Sequence, residues 1–527
     1  MKKTKYIIMS IVMLLGFTSC NDYLEVYEEN VEPTDLYWAS KADVEATLMA
    51  GYWYLRNSVE TYLIPWGELR AGCIYNRNGS PLQNYQIKST TNIATWSPMY
   101  QIVSSANLVL KNAETARNND ATYTQEEMNS HRCEAYWLRA LAYFYIVRNW
   151  RDAPLFTEPF ETDDVSYNVA KSPEADIIAQ IKADLEEALR IGAAKTSFNT
   201  TWETKGRATI WAIYALMVDV CMWNSDFDQA INYANLILNA TAADAPRFMK
   251  TATHGSWFTI FNPGNSNESI YELQWSHEKY EGTSLQTNNL PILFDNTNDS
   301  RVYELSNQML QDFNSEYRSI LMEYGEEAGE MAVRTMFGGY FVGASAAAYT
   351  GARAGYVWKY VGGTSLSDKR TSTYYDPNFI LYRVADIMLL KAEALVMRHL
   401  GADNADNEEA IRLVNEVRKR SNLEEREYYE DIDFKTLMDY VIYERLMELV
   451  GEGKAWYDLL RVGRYKDPSG TINFVKDFLI ENVTKYDQQA RETWITSVLS
   501  DENAWYLPVY YNEITVNPLL EQNPYYE

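Results

Sequence analysis

Apolar residues recur at intervals of three and four along most of the chain, the spacing that places them on one face of a helix. In the segment 93–116, for example, Ile102, Ala106 and Val109 share one face. The same spacing predicts helices over 45–59, 93–116 and 126–150, one beginning at Pro173, a pair over 208–223 and 227–238, and a last group over 379–400, 408–421 and 434–450. The pattern therefore predicts a mainly α-helical protein.

The helix pair over 208–238 is joined by the short polar turn Asn224-Ser225-Asp226. Its first helix is rich in small residues and its second reads FDQAINYANLIL, which is typical of tetratricopeptide hairpins of about 34 residues. The other helical segments are unevenly spaced. We therefore expect a degenerate tetratricopeptide-like scaffold of helical hairpins, packed against an irregular ligand-binding layer with a few short strands.

The region 241–375 differs from the rest of the chain, because Gly, Asn, Ser and Thr are frequent and helical spacing is confined to short pieces such as 302–313. The segments 268–275 and 355–361 are predicted to be short strands. A long, weakly periodic region inside a folded protein is usually functional or disordered, and its aromatic residues favour function. The predicted parts are an amino-terminal helical-repeat part at 20–240, a variable loop-rich binding region at 241–375 and a carboxy-terminal helical part at 376–527.

The first residues have the pattern of a lipoprotein signal peptide. Lysines at the start precede an apolar stretch over 6–17, the small polar pair Thr18 and Ser19, and then Cys20. A positive segment, a short apolar segment and small residues at the cleavage site are typical of a secretory signal. Cleavage after residue 19 would leave Cys20 to carry acyl groups that anchor the protein without a spanning helix. The alternative is an ordinary signal peptide with an incidental cysteine.

The net charge of the chain limits the classes of molecule that it is expected to bind. The chain has 73 acidic against 47 basic residues, a formal net charge of −26. Such a surface repels phosphate backbones, which argues against nucleic-acid binding, and it disfavours a basic patch for anionic lipid head groups. Hydrophobic residues make up 46 % of the chain, so the composition is globular rather than disordered.

The sequence contains none of the HExxH, GxSxG, Walker or GxGxxG motifs that accompany common catalytic sites. Its four histidines are scattered, and its four cysteines form no CxxC pair. Cys133 and Cys221 lie in helical patterns and are expected to be small buried residues. We therefore expect no catalytic residue, no cofactor and no metal site.

Three carboxylates raise the question of acid–base chemistry. They lie on one predicted helix and the turn after it, and they are Glu444, Glu448 and Glu452. No nucleophile or metal motif accompanies them. We interpret them as a structural ion-pair network with Arg461 or Arg464.

Aromatic residues supply the candidate binding site. The chain has 41 Tyr, 15 Trp and 17 Phe, a surplus of rings with a polar tip that suits stacking against sugars or peptides in water. The alternative is a large helical protein with many half-buried tyrosines. Four tryptophans in helical stretches are expected in the core: Trp96, Trp137, Trp211 and Trp456. The candidate ligand-binding residues lie outside helical spacing and are Trp66, Tyr75, Asn76, Arg77, Trp275, Tyr280, Phe337 and Tyr340.

Six stretches of the sequence carry longer motifs. They are CEAYWLRALAYFYIVRNWRDAPLF at 133–156, the hairpin at 206–238, YRVADIMLLKAEAL at 382–395, AIRLVNEVRKRSNL at 410–423, YERLMELVGEGKAWYDLLRVGRY at 443–465 and YLPVYYNEITVNPLLEQNPYY at 506–526. Together they resemble the SusD/RagB family, the surface nutrient-binding lipoproteins of Bacteroidetes, with Tyr525 in place of the family's usual glycine. The resemblance runs from Cys20 to the terminus except over roughly 241–375.

The resemblance implies an outer-membrane surface lipoprotein, anchored through Cys20, that binds an oligosaccharide without chemistry. It also implies delivery of that ligand to a SusC-like, TonB-dependent outer-membrane barrel. Because the region 241–375 supplies much of the family's ligand site and departs from the family pattern here, the resemblance does not identify the glycan. The alternatives are a peptide-binding subunit of a TonB-dependent importer and a surface glycoside hydrolase.

Overall fold

The computed structural model describes residues 37–160, 167–250, 253–278, 287–295, 302–334, 357–363 and 369–527. The predicted anchor Cys20 and the candidate residues Tyr280, Phe337 and Tyr340 lie outside these residues. Most of the described chain is helical, so the predicted fold class is confirmed.

The amino-terminal part is built mainly from helices, and most of its long helices pack against the next long helix along the chain. The helices are α1 (Lys41–Asn57), α2 (Ile64–Glu68), α3 (Ser97–Asn119), α4 (Gln125–Trp150), α5 (Glu174–Ile191), α6 (Thr201–Gly206), α7 (Ile210–Trp223) and α8 (Phe227–Leu238), with one strand, β1 (Ile74–Asn76), after α2. The helix α3 packs against α1 and α4, α4 packs against α5, and α7 packs against α8. This succession of hairpins is the tetratricopeptide-like scaffold that the sequence predicts.

Local sequence signals define several of these helix ends. The helix α4 begins with a capping box, in which the side chains of Thr124 and Glu127 each accept a backbone N–H of the other. Pro173 immediately precedes α5, as predicted, and Gly192 ends it in the left-handed conformation with φ of 70°. The predicted segment 227–238 coincides with α8.

The middle region, with the residues up to Arg383 that follow it, contains short elements and one helix of 18 residues. They are α9 (His254–Phe258), β2 (Ser269–Leu273), α10 (Leu290–Leu293), β3 (Tyr303–Leu305), α11 (Asn307–Tyr324), α12 (Ala328–Met331), α13 (Trp358–Val361) and β4 (Phe379–Arg383). Two antiparallel pairs form: β1 with β3, where Ile74 faces Leu305, and β2 with β4, where Leu273 faces Phe379. The strand predicted within 268–275 is confirmed as β2.

One predicted strand is wrong. The described end of the segment 355–361 forms the helical turn α13. Its Lys359 donates Nζ hydrogen bonds to the backbone carbonyls of Glu448 and Val450, at 2.8 and 3.1 Å. These tertiary contacts override the strand preference of the valine and aromatic residues around Lys359.

The carboxy-terminal part resumes the helical scaffold. Its helices are α14 (Val384–Arg398), α15 (Asn404–Arg420), α16 (Phe434–Glu448), α17 (Ala455–Arg464), α18 (Glu481–Tyr486), α19 (Glu492–Leu499) and α20 (Tyr511–Val516). The helix α14 packs against α8, α15 and α16, so it continues the amino-terminal scaffold. The helix predicted over 379–400 begins as β4 and becomes helical only at Val384. Among the described helices, none has the length and apolar character needed to cross a membrane.

The core contains the four tryptophans assigned to it from the sequence, Trp96, Trp137, Trp211 and Trp456. Cys73, Cys133 and Cys221 are also buried, and all three are free thiols.

Charged residues are buried between the middle region and the carboxy-terminal helices. We call this set the buried charge cluster, and its members are Glu268, Lys359, Arg383, Arg420, Glu448 and Glu452. The Arg383 guanidinium lies 3.0 Å from Glu268, 2.7 Å from Glu448 and 2.9 Å from Glu452. The cluster therefore joins β4 and the end of α16 to β2 and α13, and each carboxylate in it faces a cation.

The predicted ion-pair network exists, but its predicted partners are wrong. Glu444, Glu448 and Glu452 pair with Arg334, Arg383, Arg418, Arg420 and Lys359. Arg461 instead pairs with Glu393, and Arg464 with Glu174, at 2.7 Å each. Proximity in sequence favoured the nearby arginines, whereas the fold brings arginines from β4, α15 and the middle region to these carboxylates.

Candidate functional site

Trp66, the first candidate ligand-binding ring, lies in the core, and the prediction for this residue is wrong. Its side chain is fully buried on α2, and Nε1 donates to the backbone carbonyl of Ile93 at 2.9 Å. Trp150 packs edge-to-face against it with ring centroids 5.3 Å apart. The irregular sequence around Trp66 suggested a loop, but α2 and a preceding π-helical turn, Val59–Leu63, carry this ring inward.

The candidates Tyr75, Asn76 and Arg77 lie at the junction of the amino-terminal part with the middle region. Tyr75 and Asn76 are half-buried on β1, and Arg77 follows them with an exposed side chain. The backbone N–H of Arg77 donates to the carbonyl of Val302 at 2.9 Å, and the Tyr75 hydroxyl donates to Glu304. The structure therefore joins the two regions in which binding residues were predicted.

Trp275 lies two residues beyond the end of β2 and is half-buried. Its backbone N–H donates to the side-chain oxygen of Asn378 at 3.1 Å. The guanidinium carbon of Arg56, on α1, lies 6.0 Å from the centre of its ring. This contact places Trp275 at the border of a surface groove, on the other strand pair from Tyr75.

We call this surface feature the tryptophan groove. It encloses about 420 Å³, within the roughly 300–1,000 Å³ typical of small-ligand sites. Its lining residues are Met49, Tyr52, Trp53, Arg56, Trp202, Glu203, Gly206, Arg207, Tyr271, Leu273 and Gln274. Trp53 and Trp202 are 52 % and 58 % exposed, so each presents an indole face to solvent.

Hydrogen bonds fix the floor of the groove. The hydroxyl of the buried Tyr52 donates to Glu134 at 2.8 Å and accepts the backbone N–H of Ala208 at 2.9 Å. Arg207 binds both oxygens of the same Glu134 carboxylate, at 2.6 and 2.9 Å. A floor held in this way is pre-organised, which reduces the entropy that a ligand must lose on binding.

The wall that carries Trp202 is the short helix α6. A capping box between Thr200 and Glu203 starts this helix, and the buried Lys205 ties it to the carbonyl of Ser269 on β2 at 2.5 Å. Gly206 lies so close to Gln274 that a Cβ atom there would come within 2.9 Å of the Gln274 side chain. The exposed Trp202 therefore lies on a turn that the capping box holds at its start and Lys205 holds near its end.

The groove contains the guanidinium groups of Arg56 and Arg207, and their surroundings change the pKa of each. Burial lowers the pKa of Arg56 from its ordinary value. Burial alone would also lower the pKa of Arg207, but the Glu134 carboxylate raises it, so this guanidinium stays charged and paired. The polar groups available to a ligand are therefore planar donors and acceptors beside two exposed rings, an arrangement that suits sugar hydroxyls and sugar faces.

The carboxylates considered for acid–base chemistry lie elsewhere and are inaccessible. Glu444 and Glu448 are fully buried. Burial alone would raise the pKa of Glu448, but the guanidinium groups of Arg420 and Arg383 hold it at about 2. A carboxylate that remains ionised and lacks access to solvent is poorly suited to proton transfer with a substrate.

Sequence reasoning missed Trp53 and Trp202. Trp53 lies within a predicted helix, but its neighbours Tyr52 and Leu55 form the buried face of α1 while Trp53 points away. Trp202 lies in the polar stretch TTWETKG, which contains no other apolar side chain. In both cases the detectable signal is a tryptophan off the apolar stripe of its own helix.

The scaffold and groove together define a helical-repeat protein with an exposed, rigid aromatic surface site. A family model described as "SusD family" matches residues 229–526, and one described as "Starch-binding associating with outer membrane" matches residues 22–222. The chain belongs to the SusD family, a family of binding proteins associated with the outer membrane. The predicted family is thereby confirmed.

Individual relatives agree with this assignment. The chain is 25 % identical to "SusD-like protein P38" of Formosa agariphila, over 100 % of both proteins, and 23 % identical to a "SusD-like protein" of Bacteroides ovatus, over 90 % of this chain and 84 % of that protein. Among solved structures, a SusD superfamily protein from Bacteroides vulgatus has a TM-score of 0.69 at 19 % identity, covering 92 % of this chain and 99 % of the other. A "Laminarin binding SusD-like protein" has a TM-score of 0.64 at 20 % identity, with the same coverage. These structures share the fold.

Proposed function

We propose that this protein captures an oligosaccharide at the cell surface and delivers it to a TonB-dependent outer-membrane barrel of the SusC type. The tryptophan groove is the observation that carries the proposal, because two exposed indoles stand over a rigid, hydrogen-bonded floor. Exposed tryptophan pairs of this kind suit the apolar faces of sugar rings. The fold shared with a laminarin-binding SusD-like protein supports the same class of ligand.

The remaining sequence candidates enter the proposal as further ligand contacts. Trp275 borders the groove through Arg56, while Tyr75, Asn76 and Arg77 lie on the β1–β3 side. Tyr280, Phe337 and Tyr340 belong to the same middle region of the chain. Trp66 is no longer a candidate, because its ring is buried.

Calorimetric titration with neutral oligosaccharides tests the proposal. Maltohexaose, cellohexaose and laminarihexaose form a suitable panel, with an unstructured peptide as the alternative ligand. Trp53→Ala and Trp202→Ala should each weaken binding of the best glycan by about 1–3 kcal/mol, the scale of aromatic hot spots. Tyr429→Ala is the control, since Tyr429 is an exposed ring that does not line the groove. Binding of the peptide but of no glycan would contradict the proposal.

The binding is proposed to involve no chemistry. Purified protein incubated with its best glycan should produce no new reducing ends. Sustained turnover that a single Asp or Glu substitution abolishes would show a hydrolase instead.

The membrane attachment is proposed to be a lipid on Cys20. Cys20→Ala should move the protein from the membrane fraction to the soluble fraction in a detergent partition, with an unchanged melting temperature. A variant that stays in the membrane fraction would contradict the lipid anchor.

A further inference from the structure

A second surface groove lies between α19 and the loop at 80–87, and it shares no lining residue with the tryptophan groove. It is lined by Asn84, Gln86, Gln489, Arg491 and Trp494 and encloses about 330 Å³. Trp494 is 42 % exposed on α19, and Gln86 and Gln489 are exposed as well. All of its lining side chains are planar: one indole, one guanidinium and three amides.

Trp494 is held in a defined orientation. Its Nε1 donates to the backbone carbonyl of Asn84 at 3.2 Å, which ties α19 to the loop at 80–87. That loop is itself ordered, since the backbone N–H of Asn84 donates to Ser80 at 3.1 Å and that of Gln86 to Pro81 at 3.0 Å. The ring therefore presents a fixed face to solvent rather than sampling many rotamers, which reduces the entropy lost when a ligand stacks on it.

Arg491 forms the polar wall of this groove, and its charge is neutralised. Its Nη2 lies 2.6 Å from the carboxylate of Asp487, and its other donors reach the Asn84 side chain at 2.9 Å and the Gln83 carbonyl at 2.9 Å. A guanidinium that is already paired offers little to an anionic ligand, and the chain's net charge of −26 further disfavours one. The groove is thus suited to an uncharged ligand with many hydroxyl groups.

We propose that this groove is a second oligosaccharide site, specific for an uncharged glycan. Trp494 provides the stacking surface, and the amides of Gln86, Gln489 and Asn84 bind hydroxyl groups. The inference rests on the proposed function, because it assumes that the protein binds glycans. A second site would let one long chain be held at two places, which strengthens overall binding without any new type of contact.

The test is calorimetric titration of the full mature chain with the neutral hexasaccharide that binds best among maltohexaose, cellohexaose and laminarihexaose. Wild-type protein should bind two molecules, and the double variant Trp53→Ala/Trp202→Ala should retain one. Trp494→Ala should lower the affinity of the second site at least about ten-fold, the scale of a hot-spot ring. Trp494→Phe should restore most of it, because a flat ring remains.

If Trp494→Ala lowers the melting temperature, weaker binding by that variant could result from misfolding. Gln489→Ala then tests the second site separately. Its exposed amide supports no other part of the fold that the structure describes, so a weaker second site without loss of stability supports the proposal. Wild-type binding with one molecule per chain, unchanged by Trp494→Ala and Gln489→Ala, overturns the second site alone. Tighter, salt-sensitive binding of hexagalacturonate at Trp494 overturns the assignment to uncharged glycans. Failure of every glycan to bind wild-type protein overturns the proposed function itself.

Discussion

The buried charge cluster keeps charged side chains away from water, whereas the tryptophan groove exposes two apolar rings to water. In the cluster, Arg383 and its carboxylate partners are excluded from water, and ion pairs join the middle region to the carboxy-terminal helices. In the groove, Trp53 and Trp202 expose about half of their surface. Residue type alone therefore does not separate the framework of this protein from its binding surface.

Partners explain the difference. Every carboxylate of the cluster faces at least one cation within 3.0 Å, so its burial is compensated. The two groove indoles are in the opposite situation. Their exposed faces are apolar surface in contact with water, which is unfavourable in the free protein. Each carboxylate of the cluster has a cationic partner within the chain, whereas the proposed function has the groove completed by a ligand. This comparison predicts that substitutions in the cluster change stability and substitutions in the groove change binding.

The largest effect is expected for Arg383→Met. Removing one partner of a buried ion pair typically costs about 3–5 kcal/mol, because a charge is left without compensation. Here Glu268, Glu448 and Glu452 all lose their shared guanidinium. Urea unfolding measures the loss, and glycan affinity of the folded fraction should be unchanged. A variant as stable as wild type would show that Arg420 and Lys359 alone compensate the buried carboxylates.

Trp66→Ala tests the same comparison with one residue type. Loss of this buried ring should destabilise the protein by about 3–5 kcal/mol, the usual cost of a large-to-small core change. Trp53→Ala, the matched exposed substitution, should leave the free energy of unfolding nearly unchanged while weakening glycan binding. The melting temperatures of the two variants are compared with each other. Equal values would contradict the assignment of Trp66 to the core and of Trp53 to the surface.

Glu68→Gln tests a buried carboxyl group that lacks a cation at hydrogen-bonding distance among the described residues. Burial raises the pKa of Glu68 to about 8, although its Oε1 accepts the backbone N–H of Gly453 at 2.7 Å. Between pH 4.5 and about 8 the folded state thus keeps a proton that the unfolded chain releases, so this group's contribution to stability falls as pH rises.

Gln at this position stays neutral and retains the acceptor for Gly453. Relative to wild type, the variant should therefore gain on the order of 4 kcal/mol between the two ends of that pH range, at about 1.4 kcal/mol for each pH unit over which the protonation of the two states differs. Urea unfolding at several pH values measures the difference. Parallel curves for the two proteins would show that Glu68 ionises in the folded state at an ordinary pH.

The scaffold was largely predictable, because helical spacing, caps and Pro173 are local signals. The helix α8 was predicted to the residue, and β2 was predicted as a strand. What failed depended on tertiary contacts. The helical turn α13 is set by Lys359, and the partners of Glu448 come from segments distant in sequence.

The site was less predictable for the same reason. Whether a tryptophan faces a core or solvent depends on which elements pack around it, as the buried Trp66 and the exposed Trp53 demonstrate. Trp275 was selected for its position at a strand end, and the structure does border it with Arg56. The groove beside Trp275 is lined largely from α1 and α6, which no local pattern connects to β2.

The smallest effect is expected for Arg412→Met, the exposed counterpart of Arg383→Met. Arg412 pairs with Glu409 at 2.6 Å and with Glu416, one turn away on α15, and half of its side chain is exposed. Exposed pairs of this kind contribute about 0.2–1 kcal/mol, since water already solvates both charges. Urea unfolding should therefore detect at most that loss. In about 1 M salt, where the Debye length falls to about 3 Å, the Arg412 effect should vanish while the Arg383 effect persists. Equal losses for the two variants would mean that burial does not set the strength of these ion pairs, and the contrast between cluster and surface would fail.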